Sequence, residues 1–246
     1  ISISKIDSTL ENRLNELQIT SRLSSKNLLE DYFTDSKNFQ ISITKKPMEE
    51  RNIISDIVDY WQKQDKHLLL VGSTGDGKST AIKIFTSTLN NVGYRIDARD
   101  IDATVDDYSS DIEVTFDYEE IEKTFSNDLS ELEQRIKIRR VEGKKFNPEY
   151  KFIVSEELPA LVDEIEVTPT WIKRMSNRGR KVKLFLCVAA QNDTVDALGL
   201  KGNSKLINNF VKLYLGSKAI ERAKQLKDEQ LVSWLQGTKY GRGLID

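Results

Sequence analysis

The residues best suited to chemistry form a glycine-rich stretch that begins at Gly72. In order they are Gly72, Ser73, Thr74, Gly75, Asp76, Gly77, Lys78, Ser79 and Thr80, which fill the pattern G-x-x-x-x-G-K-[ST]. Glycines let backbone N–H groups wrap around phosphates without clashes from Cβ atoms. In such a loop Lys78 reaches the β- and γ-phosphates and Ser79 binds Mg²⁺. The stretch therefore predicts a nucleoside triphosphate site, and it does not distinguish ATP from GTP.

A pair of carboxylates follows the apolar run Phe152-Ile153-Val154. A P-loop enzyme needs an acidic residue at the end of a neighbouring strand to hold the Mg²⁺ shell, and a further carboxylate can orient the attacking water. The usual aspartate is absent, and Ser155 or Glu156 stands in its place. We align Glu156 with the Mg²⁺ position and Glu157 with the water-activating position. The alternative is a strand that ends in a solvated acidic turn.

The pattern around these motifs predicts the elements that position them. Leu68 to Val71 indicates a buried strand before the glycine-rich loop, and Lys78 to about Leu89 a helix after it. Apolar residues spaced by three and four from Ile121 to Ile136 predict a long amphipathic helix that ends near Gly143. The other expected strands are Tyr94–Ile96, Phe152–Val154, Leu184–Ala190, Val211–Leu215 and Gly241–Ile245. Strands that alternate with helices favour an α/β, doubly wound, mostly parallel sheet flanked by helices.

The first 45 residues are expected to form a separate small α/β region of unknown role. Ile1 to Ile6 and Phe39 to Thr44 alternate apolar and polar residues, as half-buried strands do, and a polar helical stretch lies between them. From Pro47 the pattern changes to that of an amphipathic helix. We therefore predict two parts, an appendage over residues 1–45 and a P-loop domain over residues 46–246.

Composition indicates an ordinary soluble domain rather than a polycation or a membrane-spanning chain. Of the residues, 31% are charged and 38% hydrophobic, and the net charge is −2. No apolar run approaches the roughly 20 residues that span a bilayer. The lone Cys187 excludes an internal disulfide and fits a reducing cytoplasm. Because the chain begins at Ile1, we expect it to be a piece of a longer protein, and a membrane anchor could lie in the rest.

Charge is distributed unevenly along the chain. Asp97 to Glu120 contains ten acidic residues and one base, whereas Trp171 to Lys183 contains six bases and no acid. Such segregation can mark an acidic outer face and a basic functional face, or two solvated surfaces. Bases at the end of the long helix, Arg139 and Arg140 among them, could contact DNA phosphates or form a plain solvated helix end.

With these motifs in place, the chain resembles the FtsK/HerA superfamily, which includes SpoIIIE-like translocases and the coupling ATPases of conjugation. His67-Leu-Leu-Leu-Val-Gly-Ser-Thr-Gly-Asp-Gly-Lys-Ser79 resembles the first motif of that family, and Glu156-Glu-Leu-Pro-Ala-Leu161 its second. Arg178-Gly-Arg-Lys181 is similar to the Gly-Arg-Lys of the coupling proteins. Ala190-Gln-Asn-Asp-Thr-Val-Asp196 is similar to Ala-Thr-Gln-Arg-Pro-x-Val-Asp, and Tyr240-Gly-Arg-Gly-Leu244 to a late Gly-Arg-Gly-Leu.

The resemblance covers about Lys46 to Asp246 and implies a RecA-like fold with ATP and Mg²⁺ as cofactors. It implies that Gln191 senses the γ-phosphate. It also implies that Arg178 or Arg180 reaches the ATP of a neighbouring subunit as an arginine finger. The glutamate in place of the Walker-B aspartate departs from the family pattern.

Members of the family form hexameric rings around duplex DNA, so the resemblance implies a homo-oligomer with double-stranded DNA as partner. The loop that contains Lys201 and Lys205 resembles the channel-facing loop of these rings. Asn192-Asp193 replaces the familiar Arg-Pro just before that loop.

The leading expectation is an ATP-hydrolysing motor domain of a ring-forming DNA translocase, for DNA segregation, conjugation or a mobile element. A second possibility keeps the ATPase and replaces DNA by protein, as in secretion systems. A third is a nucleotide-gated interaction module that binds ATP and hydrolyses it weakly.

Overall fold

The structure is a computed structural model that describes residues 40–43, 54–104, 107–237 and 242–246. The expected strand at Ile1–Ile6, the helical stretch that follows it and the change of pattern at Pro47 lie outside these residues. The division of the chain near residue 45 stays a prediction. No helix in the described part is both long enough and apolar enough to cross a membrane.

One sheet of eight strands and seven α-helices make up the described part of the chain. The strands are β1 (Gln40–Ile43), β2 (His67–Val71), β3 (Arg95–Arg99), β4 (Glu113–Thr115), β5 (Lys151–Ser155), β6 (Leu184–Ala190), β7 (Phe210–Leu215) and β8 (Arg242–Ile245). The helices are α1 (Ile54–Gln64), α2 (Lys78–Asn91), α3 (Tyr118–Glu142), α4 (Leu158–Glu164), α5 (Thr168–Arg178), α6 (Gly216–Gln225) and α7 (Glu229–Gln236). Short 3₁₀ helices lie at Gly143–Lys145, Gly179–Val182 and Ser204–Asn209.

The order of the strands confirms the predicted α/β class. It is β1-β8-β7-β2-β6-β5-β3-β4, and every neighbouring pair is parallel except β7 and β8. The ends of β2, β3, β5 and β6 therefore meet at one edge of the sheet, called here the carboxyl edge. Their starts meet at the opposite edge, called the amino edge. Ligands of open α/β sheets bind at the carboxyl edge.

Helices cover both faces of the sheet, as the doubly wound prediction requires. Successive residues of a strand point to opposite faces, so Leu69 and Val71 of β2 pack into one core while Leu68 and Leu70 pack into the other. The first core contains residues of α3 to α7, and the second contains residues of α1 and α2. Both faces of β2 are buried, which explains its uninterrupted apolar sequence.

Most predicted elements lie where the sequence places them, and β3 extends furthest beyond its predicted end. The strand predicted at Tyr94–Ile96 is β3, which continues through Asp97 to Arg99. Hydrophobicity alone ends it too early because these two charged side chains are buried. The acidic stretch that follows contains the short edge strand β4, for which the sequence analysis predicts no strand.

A buried network of charged side chains explains why β3 tolerates those residues. Lys151 of β5 lies 2.7 Å from Asp97 and 2.9 Å from Asp128 of α3. Arg99 lies 3.0 Å from the other oxygen of Asp128, which also accepts a 3.0 Å hydrogen bond from Nε1 of Trp171 in α5. Buried charges are tolerated only when they are paired and hydrogen-bonded. The network therefore ties α3 and α5 to β3 and β5.

Candidate nucleotide and metal site

The glycine-rich loop connects β2 to α2 at the carboxyl edge of the sheet. Gly75 and Gly77 have φ of +83° and +89°, a conformation that residues with a Cβ rarely adopt. The loop thereby turns sharply into the first turn of α2, which begins at Lys78 directly after Gly77. A helix that begins in this way presents unpaired N–H groups and a positive dipole to an anion.

Asp76 fixes the loop to the start of α6. Its Oδ2 accepts hydrogen bonds from the backbone N of Ser73 (2.8 Å) and from the N (3.2 Å) and Oγ (2.8 Å) of Ser217. A Cβ on Gly216 would lie 2.3 Å from Oδ1 of Asp76, so only glycine fits there. Sequence reasoning missed Ser217 because nothing in its local pattern shows that β7 lies beside β2.

Lys78 lies inside the loop, where its charge can meet phosphates. Its side chain is buried, and its Nζ donates to the carbonyl of Gly72 at 3.0 Å. Oε1 of Glu157 lies 3.6 Å from the same Nζ. The ammonium group is therefore held between the loop and the end of β5.

Glu156 joins the end of β5 to the glycine-rich loop. The hydroxyl of Ser79 donates to Oε2 of Glu156 at 3.1 Å, and the backbone N of Glu156 donates to the carbonyl of Arg99 at 3.0 Å. Ser155, the other candidate for this position, is fully buried, and its Oγ has no hydrogen-bond partner among the described residues. Glu156 is thus the residue that faces the Mg²⁺-binding serine of the motif.

The backbone turns at Glu157, which separates two consecutive carboxylates. Glu157 has a φ of +46°, in the left-handed region that a non-glycine residue seldom occupies. Residues held in that region cluster at functional sites. As a result Glu156 contacts Ser79 while Glu157 contacts Lys78.

The environment of Glu156 favours its neutral form. Burial is the largest cause and the negative charge of Asp100 the next, and together they raise the pKa of Glu156 to about 7. The hydrogen bond from Ser79 and the charge of Lys78 act in the opposite direction. A carboxylate with this pKa at the edge of a cleft is typical of a functional site.

Two residues that sequence reasoning missed lie beside Glu156. Asp100 directly follows β3, and the hydroxyl of Tyr108 lies 3.2 Å from its Oδ2 and 3.4 Å from Oε1 of Glu156. They line a cleft of about 150 Å³, called here the acidic cleft, whose lining includes Ser79, Asp100, Asp107, Tyr108, Glu156 and Glu157. The position of Asp100 just after a strand could have identified it. Many other acidic residues surround it in sequence, so this position does not stand out.

The donor set of the acidic cleft fits Mg²⁺, which prefers hard oxygen ligands. Among the described residues no three His, Cys, Asp or Glu side chains are grouped closely enough to hold a metal alone. Mg²⁺ usually binds through one or two carboxylates together with substrate phosphates and waters. Ser79 and Glu156 are placed to hold it in that manner.

The structure brings Gln191 to this site and places the arginines elsewhere. Gln191 directly follows β6, and the carbonyl of Ala190 accepts from the N of Gly72 at 3.2 Å. Arg178 and Arg180 precede β6 and lie at the amino edge. A strand of seven residues is about 20 Å long, so this edge lies about that far from the phosphate loop. Neither arginine can therefore reach the phosphate loop of its own chain.

Of the remaining predicted residues, Arg178 and Arg180 are half-buried and the others are exposed. Arg178 lies 3.5 Å from Glu133, and Arg180 donates to the carbonyl of Asp65 and, at 3.2 Å, to Asn209. The exposed residues from the prediction are Lys201 and Lys205, in the connection between β6 and β7, and Arg139 and Arg140, near the end of α3.

Comparison with known proteins identifies the fold. The family model of the Rad17 P-loop domain matches residues 22–196. No curated protein matches the sequence. The conjugation coupling protein TcpA of pCW3, solved as a monomer with ATPγS, is 20% identical with a TM-score of 0.57. The match covers 74% of this chain and 57% of that one, so the chain spans less than two thirds of TcpA.

Two further structures are similar. One, described only as an ATPase, is 11% identical with a TM-score of 0.53, and the match covers 76% of this chain and 75% of that one. The other is the cytoplasmic domain of the type VII secretion ATPase EccC of Thermomonospora curvata, 16% identical with a TM-score of 0.48 over 64% of this chain and 21% of that one. At these identities the likeness concerns the fold.

Replacement of Lys78 by alanine tests the phosphate site. Loss of a charged hydrogen bond of about 1.5–3 kcal/mol predicts that Lys78→Ala lowers ATP affinity about 10- to 100-fold. Lys63→Ala, which removes an exposed lysine of α1, serves as the matched control. Affinity is measured by titration of a fluorescent ATP analogue. Equal ATP affinity of Lys78→Ala and the wild-type protein would contradict the assignment of the loop as a phosphate site.

Proposed function

Because the chain belongs to the Rad17 P-loop domain family and has the fold of FtsK/HerA-like P-loop ATPases, we propose that it is an ATP-hydrolysing motor domain. The proposed motor is part of a hexameric translocase of double-stranded DNA that acts in the cytoplasm. One observation carries the enzymatic part of the proposal. Consecutive glutamates at the end of β5 contact the two functional residues of the glycine-rich loop, Ser79 and Lys78. That is the arrangement that hydrolysis of a bound nucleotide requires.

In the proposed mechanism the glycine-rich loop, Ser79 and Glu156 bind the nucleotide and its metal ion. The N–H groups of the loop and the ammonium of Lys78 bind the phosphates, and Ser79 and Glu156 would hold Mg²⁺. When bound, Mg²⁺ would supply positive charge that offsets the charge of the phosphates. Asp76 keeps the loop in shape through its bonds to Ser217, so little of the geometry has to form during the reaction.

Glu157 orients the attacking water and accepts its proton. Its carboxylate lies beside Lys78, near the position that the γ-phosphate takes when Lys78 contacts it. Gln191, at the end of the strand that lies between β2 and β5, contacts the same phosphate. Assistance by such a base is typically worth roughly 10²–10⁴-fold.

A neighbouring copy supplies the arginine. Since Arg178 and Arg180 lie at the amino edge, one of them completes a site only when a second copy places that part of its amino edge against the carboxyl edge of the first. The end of α3, with Arg139 and Arg140, stays outside this contact in the proposed arrangement. Such head-to-tail contacts use two different surfaces and close into rings. The proposed hexamer is therefore part of the active site rather than an accessory to it.

A basic cavity at the amino edge supports DNA as the cargo. It has a volume of about 600 Å³ and is lined by the end of α3 and the segment after α5. Its charged lining consists of Arg139, Arg140, Lys144, Arg178 and Lys181, with no acidic residue. Four of these five side chains form no ion pair within the described residues, and Arg178 lies 3.5 Å from Glu133.

Helix ends alone do not account for so many bases. The ends of α3 and α5 each carry roughly half a negative charge, about one charge together, whereas the cavity is lined by five positive side chains. The excess favours a polyanion, and arginine in particular binds phosphate with two parallel hydrogen bonds. A phosphodiester backbone has the required chemistry.

One observation favours a second function, a nucleotide-gated module with weak hydrolysis. Glu156 takes the place of the usual aspartate, and its extra methylene moves the carboxylate relative to Ser79. In that case ATP binds, turnover is slow, and DNA does not change it. Transport of protein rather than DNA would instead leave turnover intact and insensitive to DNA.

Glu157→Gln separates binding from hydrolysis. The amide keeps the shape of the side chain and cannot accept the proton of water, so we expect ATP affinity to stay within about threefold while turnover falls roughly 10²–10⁴-fold. Release of phosphate and binding of an ATP analogue are measured on the same preparation. Full turnover in Glu157→Gln, with none in Glu156→Gln, would show that the two roles are exchanged.

Removal of charge from the basic cavity tests the DNA proposal. The variant combines Arg140→Gln, Lys144→Gln and Lys181→Gln. Each lost phosphate contact lowers the slope of log affinity against log salt by about 1, so binding of a 30-base-pair duplex should lose a slope of up to about 3, equally for unrelated sequences. Fluorescence anisotropy at several salt concentrations gives this slope.

The matched control removes three exposed lysines elsewhere, Lys63, Lys123 and Lys224. It should keep the wild-type slope. A second variant, Lys201→Gln with Lys205→Gln, measures how much of the salt slope of DNA binding comes from the connection between β6 and β7. Wild-type protein that fails to bind the duplex, or whose turnover ignores it, would contradict the translocase proposal.

A further inference from the structure

Asp100 is a buried carboxylate to which the sequence motifs assign no part. It directly follows β3, the strand next to β5, so the two strand ends place it beside Glu156. Asp100 is 7% exposed and Glu156 is 6% exposed. Both line the acidic cleft, into which Ser79 of the glycine-rich loop also faces.

Tyr108 connects the two carboxylates. Its hydroxyl lies 3.2 Å from Oδ2 of Asp100 and 3.4 Å from Oε1 of Glu156. A phenol carries a single hydrogen, so it can donate to only one of them at a time. The second donor to Asp100 is the backbone N of Asp102 at 3.1 Å, and the second donor to Glu156 is Ser79.

The nearby cations are engaged with other groups. Lys78 contacts Glu157 and the carbonyl of Gly72, and Lys83 lies 3.1 Å from Asp107. Within the described residues, neither Asp100 nor Glu156 forms an ion pair of its own. Two buried carboxylates that share one donor are stabilised when a cation joins them.

We propose that Asp100 is a second acidic residue of the magnesium site and that Tyr108 is a positioning residue that holds Asp100 and Glu156 toward Ser79. The inference rests on the proposed function, because it takes Mg²⁺ with a nucleotide as the ligand. Mg²⁺ commonly uses one or two carboxylates, directly or through its waters, beside the phosphates. The neighbouring strand β3 thereby provides the carboxylate that the end of β5 lacks.

A plain structural role for Asp100 makes a different prediction. Its bond to the N of Asp102 also shapes the turn after β3. If that were its whole contribution, substitution would lower stability and leave the dependence on Mg²⁺ unchanged. The test therefore measures metal dependence separately from folding.

The test compares Asp100→Asn with the wild-type protein. Asparagine keeps the size of the side chain. Its Oδ1 can still accept from the N of Asp102, and its Nδ2 can donate to the hydroxyl of Tyr108. Affinity for a fluorescent, slowly hydrolysed ATP analogue is measured against Mg²⁺ concentration and in EDTA. Groups that support a metal typically contribute 10- to 100-fold to its affinity. We expect the Mg²⁺ concentration for half-maximal binding to rise by that factor, with the affinity in EDTA within about threefold of wild type.

Asp59→Asn is the matched control, because it removes the same charge from an exposed side chain of α1 that does not line the acidic cleft. It should change the Mg²⁺ requirement less than about threefold. Tyr108→Phe keeps the ring and removes the hydroxyl, so it should raise the requirement by less than Asp100→Asn does. If Asp100→Asn does not fold, Tyr108→Phe alone decides, with thermal melting as the check of folding.

The outcomes separate this inference from the proposed function. A wild-type protein whose nucleotide binding ignores Mg²⁺ would overturn both. A wild-type protein that needs Mg²⁺, with the same requirement in Asp100→Asn and Tyr108→Phe, would overturn only the role of Asp100. A larger Mg²⁺ requirement in Asp100→Asn but not in Asp59→Asn supports the role of Asp100.

Discussion

Six of the eight strands, β2 to β7, run in the same direction, so their ends meet at a single edge of the sheet. That constraint brings together groups far apart in sequence: the glycine-rich loop after β2, Asp100 after β3, the glutamate pair after β5 and Gln191 after β6. It also places the starts of the strands, with the basic cavity, at the opposite edge. One chain therefore presents the acidic cleft at one edge and the two candidate arginines, Arg178 and Arg180, at the other, and the proposed function needs a second copy to bring them together.

The buried charges keep these two edges in a fixed relation. Asp128 lies in the middle of α3, and its bonds to Lys151, Arg99 and Trp171 hold α3 and α5 on the sheet. Removal of one partner from such a network typically costs about 3–5 kcal/mol. The same Arg99 precedes Asp100, and its carbonyl accepts from the N of Glu156. The core that anchors the basic helix ends is thus continuous with the backbone of the acidic cleft.

Local patterns predicted most of the fold and, in the site, the glycine-rich loop and the glutamate pair. The run Leu68 to Val71, the loop after it and the spacing from Ile121 to Ile136 depend on near neighbours in sequence, and the elements they predict are present. Asp100, Tyr108 and Ser217 were missed because their proximity to the loop depends on strand order, which no local pattern encodes. The end of β3 was missed for a related reason, since its charged residues are buried only through partners on α3 and β5.

Complementation between two inactive variants tests the central claim, that one copy completes the site of the next. Lys78→Ala protein is mixed with Arg180→Ala protein, and in a second arm with Arg178→Ala protein, and ATP turnover is measured over a range of concentrations. Where the mutated arginine is the one that acts on the neighbour, one kind of mixed interface keeps both needed groups intact. We predict that one of the two arginine variants is inactive by itself, that turnover recovers when this variant is mixed with Lys78→Ala protein, and that turnover rises more steeply than linearly with concentration. No recovery in either arm, with specific activity independent of concentration, would contradict the account.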